Sequence, residues 1–304
     1  MKALQKTTPA FGVEFRDLPR PKPKAGEALI EVTAAGVCGT DVHIYEWNGG
    51  YEFMAPLLPL TLGHEFAGRV VDVEGDAQAL MPGDLVVVVP SIPCGHCAHC
   101  LGGAAESCER RTAKGTSADG GFARWITAPV VNCLPAPAGV DDELAALAEP
   151  LTVAYEAVRK GGVGRGDRVL VIGPGSIGQA IAIYARLAEA AEIVVVGRDD
   201  ALRFETLRAL GFHDLVDIGA SDLDAALAPR FTLHELGYVV LNPAHRTVAE
   251  FRQFGIVLGR GDGGPAGINM HYRRAGTQGR ESRATGIAEQ VQHLRLGLQI
   301  RAQV

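Results

Sequence analysis

Lysine disappears from the later part of this chain: of its 304 residues, none after Lys160 is a lysine. Residues 231–304 hold nine Arg and five acidic residues, a balance of +4, against −10 for residues 1–230. Long apolar runs are lacking as well. No stretch reaches the roughly 18 residues that argue for a membrane-spanning helix, although the apolar fraction is an ordinary 47%. The N-terminus, Met1-Lys-Ala-Leu-Gln-Lys-Thr-Thr, lacks the apolar stretch of a signal peptide. These absences indicate no transmembrane helix and leave the cytoplasm as the expected location. A net charge of −6 argues against a general nucleic-acid binder. No internal repeat is visible, and the length suits two domains.

Cysteine is scarce but concentrated. Four of the six lie at Cys94, Cys97, Cys100 and Cys108. Two-residue gaps let successive thiolates turn back onto one point, and the fourth can close a tetrahedron around Zn2+. Four protein ligands leave no open position, so such a site holds a loop and does no chemistry. Disulfides are the competing reading, and a poor one in a large chain of intracellular character. His96 and His99 lie inside the lobe and could replace a thiolate; the four sulfurs are preferred.

Residues 1–150 are β-rich. Ala28-Leu-Ile-Glu-Val-Thr, Phe66-Ala-Gly-Arg-Val-Val-Asp-Val and Asp84-Leu-Val-Val-Val-Val-Pro are short runs punctuated by Gly and Pro. They suggest a small barrel and not a parallel sheet. Past Pro150 the period changes. Leu151 to Lys160 is expected to be helical and Arg168-Val-Leu-Val-Ile to be a buried strand. A helix with its bulk at Ile181, Ile183, Tyr184 and Leu187 leads to a second strand, Glu192-Ile-Val-Val-Val. Strand, glycine turn, helix and strand make one βαβ unit of a parallel sheet. A helix from Ala201 and a short strand from Asp214 to Asp217 extend it.

Cys38, His64, Glu65 and Glu149 add zinc-ligand types on either side of the cysteine quartet. Singly each is weak, since a lone cysteine is usually a buried small hydrophobe. Together they carry a resemblance. Gly36-Val-Cys-Gly-Thr-Asp-Val-His, Gly63-His-Glu-Phe-Ala-Gly, Pro82-Gly-Asp-Leu-Val, the cysteine lobe, Glu149-Pro-Leu-Thr-Val-Ala and Gly173-Pro-Gly-Ser-Ile-Gly occur in this order. The chain resembles the zinc-dependent medium-chain dehydrogenase/reductases, the alcohol dehydrogenase superfamily, over roughly its first three quarters. Asp41-Val-His-Ile-Tyr-Glu-Trp looks most like the threonine 3-dehydrogenase and polyol dehydrogenase branch.

The resemblance implies an α/β architecture: a GroES-like β-barrel catalytic domain over residues 1–150, then a Rossmann-type parallel α/β domain from residue 151. It implies that Cys38, His64 and Glu65 hold a catalytic zinc, with Glu149 as a fourth ligand or close neighbour. Zinc would act as a Lewis acid on a secondary alcohol, and hydride would pass to NAD or NADP. Thr40 and His43 would form the proton relay, a hydroxyl and an imidazole titrating near neutrality. The implied partner is a small-molecule alcohol (threonine, a polyol or a sugar), with no nucleic acid and no membrane. Relatives are commonly dimers or tetramers, so a homo-oligomer is open.

The cofactor turn has its required context, because Gly173, Gly175 and Gly178 follow a strand and open a helix that begins at Ser176 and Ile177. Gly173 makes the tight turn, Gly175 admits the pyrophosphate and Gly178 lets the helix pack closely. Gly197 stands where NAD enzymes carry an acid, and Arg198 follows, which points to NADP. Asp199 could still serve NAD, so the choice stays open.

Beyond Arg230 the family pattern is lost. Only Tyr238-Val-Val-Leu and Phe254-Gly-Ile-Val-Leu look like strands. Residues 151–230 therefore supply the first half of a sheet that has about six strands when complete. Residues 231–304 are a divergent tail, a diverged half that still folds, or a segment translated out of frame. The shift to arginine without lysine favours the last. The competing function is a non-catalytic zinc-binding protein or pseudoenzyme with a truncated cofactor domain.

Overall fold

The computed structural model describes residues 1–227 except 48, 78 and 79, together with the backbone of two later strands, Leu236–Val239 and Gly255–Gly259. Apart from those strands, expectations about residues 231–304 fall outside the described residues. The chain forms two compact units, one holding Met1–Glu149 and the other beginning at Pro150. No described helix is long and apolar enough to cross a membrane.

The first unit is antiparallel throughout its main sheets, as its short punctuated runs predict. The larger sheet has five strands in the order Cys133–Pro135, Leu85–Val88, Glu65–Glu74, Glu27–Gly36 and Trp125–Pro129. The smaller orders Glu14–Asp17, Lys2–Lys6 and Leu60–Thr61. Ala28, Ile30, Phe66, Val86, Val88 and Ile126 bury the inner face of the larger sheet. A pair of two-residue strands, Ser91–Ile92 and Thr112–Ala113, closes the base of the cysteine lobe.

Lys6 is wholly buried in this unit. Its ammonium donates to the carbonyls of Ala10, Gly12 and Tyr45 and lies 5.1 Å from the Trp47 ring. An ammonium has three donors, so these three acceptors satisfy it and offset the cost of its burial. The contact ties the first strand to the end of the helix Gly39–Glu46, which carries part of the site.

In the second unit the strands Leu215–Asp217, Glu192–Gly197 and Arg168–Ile172 lie side by side and parallel. Val169, Val171, Val194 and Val195 are fully buried, as expected of strands covered on both faces. The helices Ser176–Leu187 and Ala201–Ala209 alternate with them in sequence, which makes the βαβ pattern. The first helix buries Ile181 and Tyr184 as its period predicts, but Leu187 at its last turn is 50% exposed. Ala180 and Ala185 fill that face instead.

The sheet departs from a purely parallel one at its fourth position. Gly255–Gly259 pairs antiparallel with Arg168–Ile172, and Leu236–Val239 pairs antiparallel with Gly255–Gly259. Gly255–Gly259 matches the apolar run from Phe254; Leu236–Val239 begins two residues before the run expected from Tyr238. Their direction was not legible, because hydrophobic pattern carries no polarity.

Candidate metal centre

Strand register brings the first group of candidate ligands together. Glu27–Gly36 runs antiparallel to Glu65–Glu74 with Gly36 opposite Glu65. Cys38 follows the first strand and caps the helix Gly39–Glu46. His64 immediately precedes the second strand. One ligand atom from each of Cys38, His64 and Glu65 lies within 4.8 Å of the others. Glu65 is buried.

Two glycines make this approach feasible. A Cβ on Gly36 would sit 2.4 Å from Glu65 Oε2, so any side chain there would displace the carboxylate. Gly63 has φ +92°, and a Cβ on it would lie 2.4 Å from the Phe122 ring. It is therefore constrained twice, by backbone conformation and by space.

Asp41 was quoted in the sequence only as part of a motif, yet it organises the group. It is 4% exposed. One carboxylate oxygen accepts from the Cys38 N–H at 3.0 Å and the other from the Gly63 N–H at 3.3 Å. It thus spans the loops before both ligand positions. Its Oδ1 also stands 3.8 Å from His64 Nδ1, a buried nitrogen with no hydrogen-bond partner among the described residues. At that distance the contact is one of charge and not a hydrogen bond; a carboxylate behind a histidine raises the ring's basicity for a metal on the other nitrogen. Its position three residues after Cys38 was the available clue.

The electrostatics are those of a buried anionic pocket. Burial raises the pKa of Asp41, Glu65 and Glu149. Burial also opposes charge on His64, but a hydrogen bond with Cys38 and the charges of Asp41, Cys38 and Glu149 outweigh it, and its pKa is pushed up to about 9. Thiol, imidazole and carboxylates crowded out of water favour a cation at their centre. Cys, His and Glu are the donors zinc accepts. With a thiol, an imidazole and a carboxylate converging in one pocket, the residues fit a divalent metal. Asp41→Asn should weaken metal binding by roughly 10- to 100-fold in competition with a chelating dye. Unchanged affinity would reduce Asp41 to a loop brace.

Glu149 is not among the three close ligands, though its charge acts on His64. It lies in the first turn of the helix Ala148–Gly161. Thr40 and His43 are a turn apart on the helix Gly39–Glu46 and both half-buried, so they share a face. They are not part of the ligand group.

The second group is the quartet. Cys94, Cys97, Cys100 and Cys108 place their sulfurs within 4.8 Å of one another. All are free thiols. Cys97 Sγ is 3.5 Å from Cys100 Sγ and 3.9 Å from Cys108 Sγ. The Cys94 N–H points at the Cys108 sulfur at 3.2 Å, and the Cys97 N–H at the Cys94 sulfur at 3.4 Å. Such donors stabilise thiolates. Neither neighbouring histidine enters the group: His96 Nδ1 contacts the Cys94 carbonyl at 2.8 Å, and His99 faces Glu109 at 3.4 Å.

The glycine turn lies in the second unit. Gly173 has φ +105°. A Cβ on Gly178 would lie 1.8 Å from the Gly173 carbonyl oxygen. Gly175 caps the helix Ser176–Leu187, and Gln179 Nε2 braces the turn by donating to the Pro174 carbonyl at 2.9 Å. The free N–H groups of that helix start, at Ser176 and Ile177, suit a pyrophosphate.

Comparison with known proteins gives the same context. Residues 24–138 match the alcohol dehydrogenase GroES-like domain. The chain is 37% identical over 211 residues to L-galactonate-5-dehydrogenase of Escherichia coli, an alignment spanning 69% of this chain and 60% of that protein. It is 34% identical to L-threonine 3-dehydrogenase of Bacillus licheniformis over 73% of this chain and 63% of the relative. A crystal structure described as a short chain alcohol dehydrogenase of Escherichia coli, complexed with NADH, superposes with a TM-score of 0.67 at 30% identity, covering 76% of this chain and 66% of that one. The chain spans less than two thirds of the length of these relatives.

Proposed function

Since the chain belongs to the alcohol dehydrogenase superfamily, we propose that it is a zinc-dependent oxidoreductase moving hydride from a secondary alcohol to NAD or NADP. The observation that carries this is the convergence of Cys38, His64 and Glu65 in a buried anionic pocket. In this reading these three hold a catalytic zinc, with Glu149 beside them as an exchangeable ligand. The quartet Cys94, Cys97, Cys100 and Cys108 holds a second, structural zinc. Zinc in the first site would polarise the substrate hydroxyl, and a bound nicotinamide would take the hydride.

The chain's own residues do the rest. Cys38, His64 and Glu65 contribute up to two negative charges, so exchange of Glu149 leaves a site that accepts a neutral hydroxyl. Thr40 takes the hydroxyl proton and passes it to His43, whose imidazole returns it to water. Gly173, Gly175, Ser176, Ile177 and Gly178 seat the pyrophosphate, and Gly197 and Arg198 face the adenosine ribose. Asp41 braces the backbone at Cys38 and Gly63 and sets a negative charge behind the His64 ring.

Threonine, polyols and sugars or sugar acids are the substrate classes, because the similar proteins bear those names. Free thiols throughout suit the reducing cytoplasm. Where the chain assembles, a homo-oligomer is the expected form, since most soluble oligomers are of that kind. Zinc-loaded protein should oxidise at least one of threonine, sorbitol and galactonate with NAD or NADP, followed at the absorbance of the reduced nicotinamide. Full zinc occupancy with no turnover across a broad panel of secondary alcohols would favour a non-catalytic zinc protein instead.

A further inference from the structure

The tip of the strand Glu192–Gly197 decides which dinucleotide a doubly wound unit prefers. An acid there bonds the ribose 2′-hydroxyl of NAD, whereas a nearby arginine accommodates the 2′-phosphate of NADP. Here the tip is Gly197, and it is closed to any side chain. A Cβ would meet Pro174 Cγ at 2.8 Å, Asp200 Oδ2 at 2.9 Å and Phe204 Cζ at 2.9 Å. Pro174 belongs to the glycine turn, so the tip abuts the loop expected to carry the pyrophosphate.

Three carboxylates lie near enough to replace the missing acid; two are engaged elsewhere and the third, Asp199, is turned over Gly219. Asp200 accepts from the Arg198 N–H at 3.2 Å and pairs with the Arg203 guanidinium. Asp217 Oδ1 accepts from the Asp199 N–H at 3.0 Å and the Gly219 N–H at 2.9 Å, and these bonds hold its carboxyl below the usual range. Asp199 sits at φ +54°, with its Oδ1 2.4 Å from where a Gly219 Cβ would be, so it lies over that glycine.

Arg198 is the exception. Its side chain is exposed and forms no close ion pair among the described residues, although its charge acts on Asp217 and helps to lower that carboxyl's pKa. A guanidinium offers a planar fork of donors that matches a phosphate. Its backbone N–H is anchored on Asp200, which fixes where the side chain leaves the chain.

We infer that this unit selects NADP over NAD, with Arg198 binding the 2′-phosphate beside a strand tip that Gly197 keeps bare. The inference rests on the dehydrogenase reading and deepens it. Asp199 and Asp217 temper the local positive charge, so the expected preference is roughly 10- to 100-fold, the scale of one charge-assisted contact.

The test is calorimetric titration of the full chain, zinc-loaded, with NADP and with NAD, and separately with adenosine 2′,5′-bisphosphate and 5′-AMP. The 2′-phosphorylated member of each pair should bind more tightly. Arg198→Ala should lower NADP affinity at least about tenfold and leave NAD affinity unchanged. Gly197→Asp should lower thermal stability without creating NAD affinity, because the tip has no room for it. Equal or stronger binding of NAD, or an Arg198→Ala variant that weakens both alike, would overturn the inference alone. If neither dinucleotide binds, the dehydrogenase reading fails and takes this inference with it.

Discussion

Cys38→Ala should abolish alcohol oxidation while leaving the chain folded and still carrying zinc in its cysteine lobe. Cys38 is the one sulfur in the first group and hydrogen-bonds His64, so its loss removes a ligand and an orienting contact together. A Lewis acid supplies several kcal/mol of transition-state charge stabilisation. At 1.36 kcal/mol per tenfold, its loss should lower kcat/KM on the order of 10³-fold or more. His64→Asn should do the same by a different route, because it spares the sulfur. The controls are the far-ultraviolet circular dichroism spectrum, expected to be unchanged, and the zinc content, expected to fall by one ion per chain. Residual activity above about a tenth of the parent would place the chemistry elsewhere.

Cys97→Ser should have its effect on stability. Cys97 lies at the middle of the quartet, within 3.5 Å of one sulfur and 3.9 Å of another. The lobe is held at its base by strands of two residues each. Its own helix, Ala98–Leu101, buries no residue, and Leu101 is 76% exposed. Little apolar area is left to fold it once the ligands fail. Structural zinc in small peptides contributes on the order of 10 kcal/mol. Part of that reaches the first unit, so a loss of about 3 kcal/mol, or roughly 10 °C in Tm, is expected. Limited proteolysis should cut first between Cys94 and Cys108. An unshifted Tm with one zinc lost would make the lobe an ornament of the fold.

The two clusters were legible because the residues that form them are chemically rare and regularly spaced. Four thiols at short intervals, or a His-Glu pair after glycine, have few other uses. The βαβ unit was legible from the change of period after Pro150. Other features were hidden for identifiable reasons. Asp41 works through backbone N–H groups of Cys38 and Gly63, and no spacing rule shows that a loop twenty-two residues away will fold onto it. Lys6 is an ordinary surface residue until three carbonyls close over it. Where the Asp199 carboxylate points could not be read from sequence; in the fold it lies over Gly219. The antiparallel pairing of Gly255–Gly259 could not be foreseen from its apolar residues.

The most direct test of the two-metal reading is zinc content with position: elemental analysis of the purified chain, joined to anomalous diffraction at the zinc edge. Two zinc ions per chain are expected, one among Cys38, His64 and Glu65 and one at the centre of Cys94, Cys97, Cys100 and Cys108. A lobe closed by disulfides, or protein supplied with zinc that binds none beside Cys38, would contradict it.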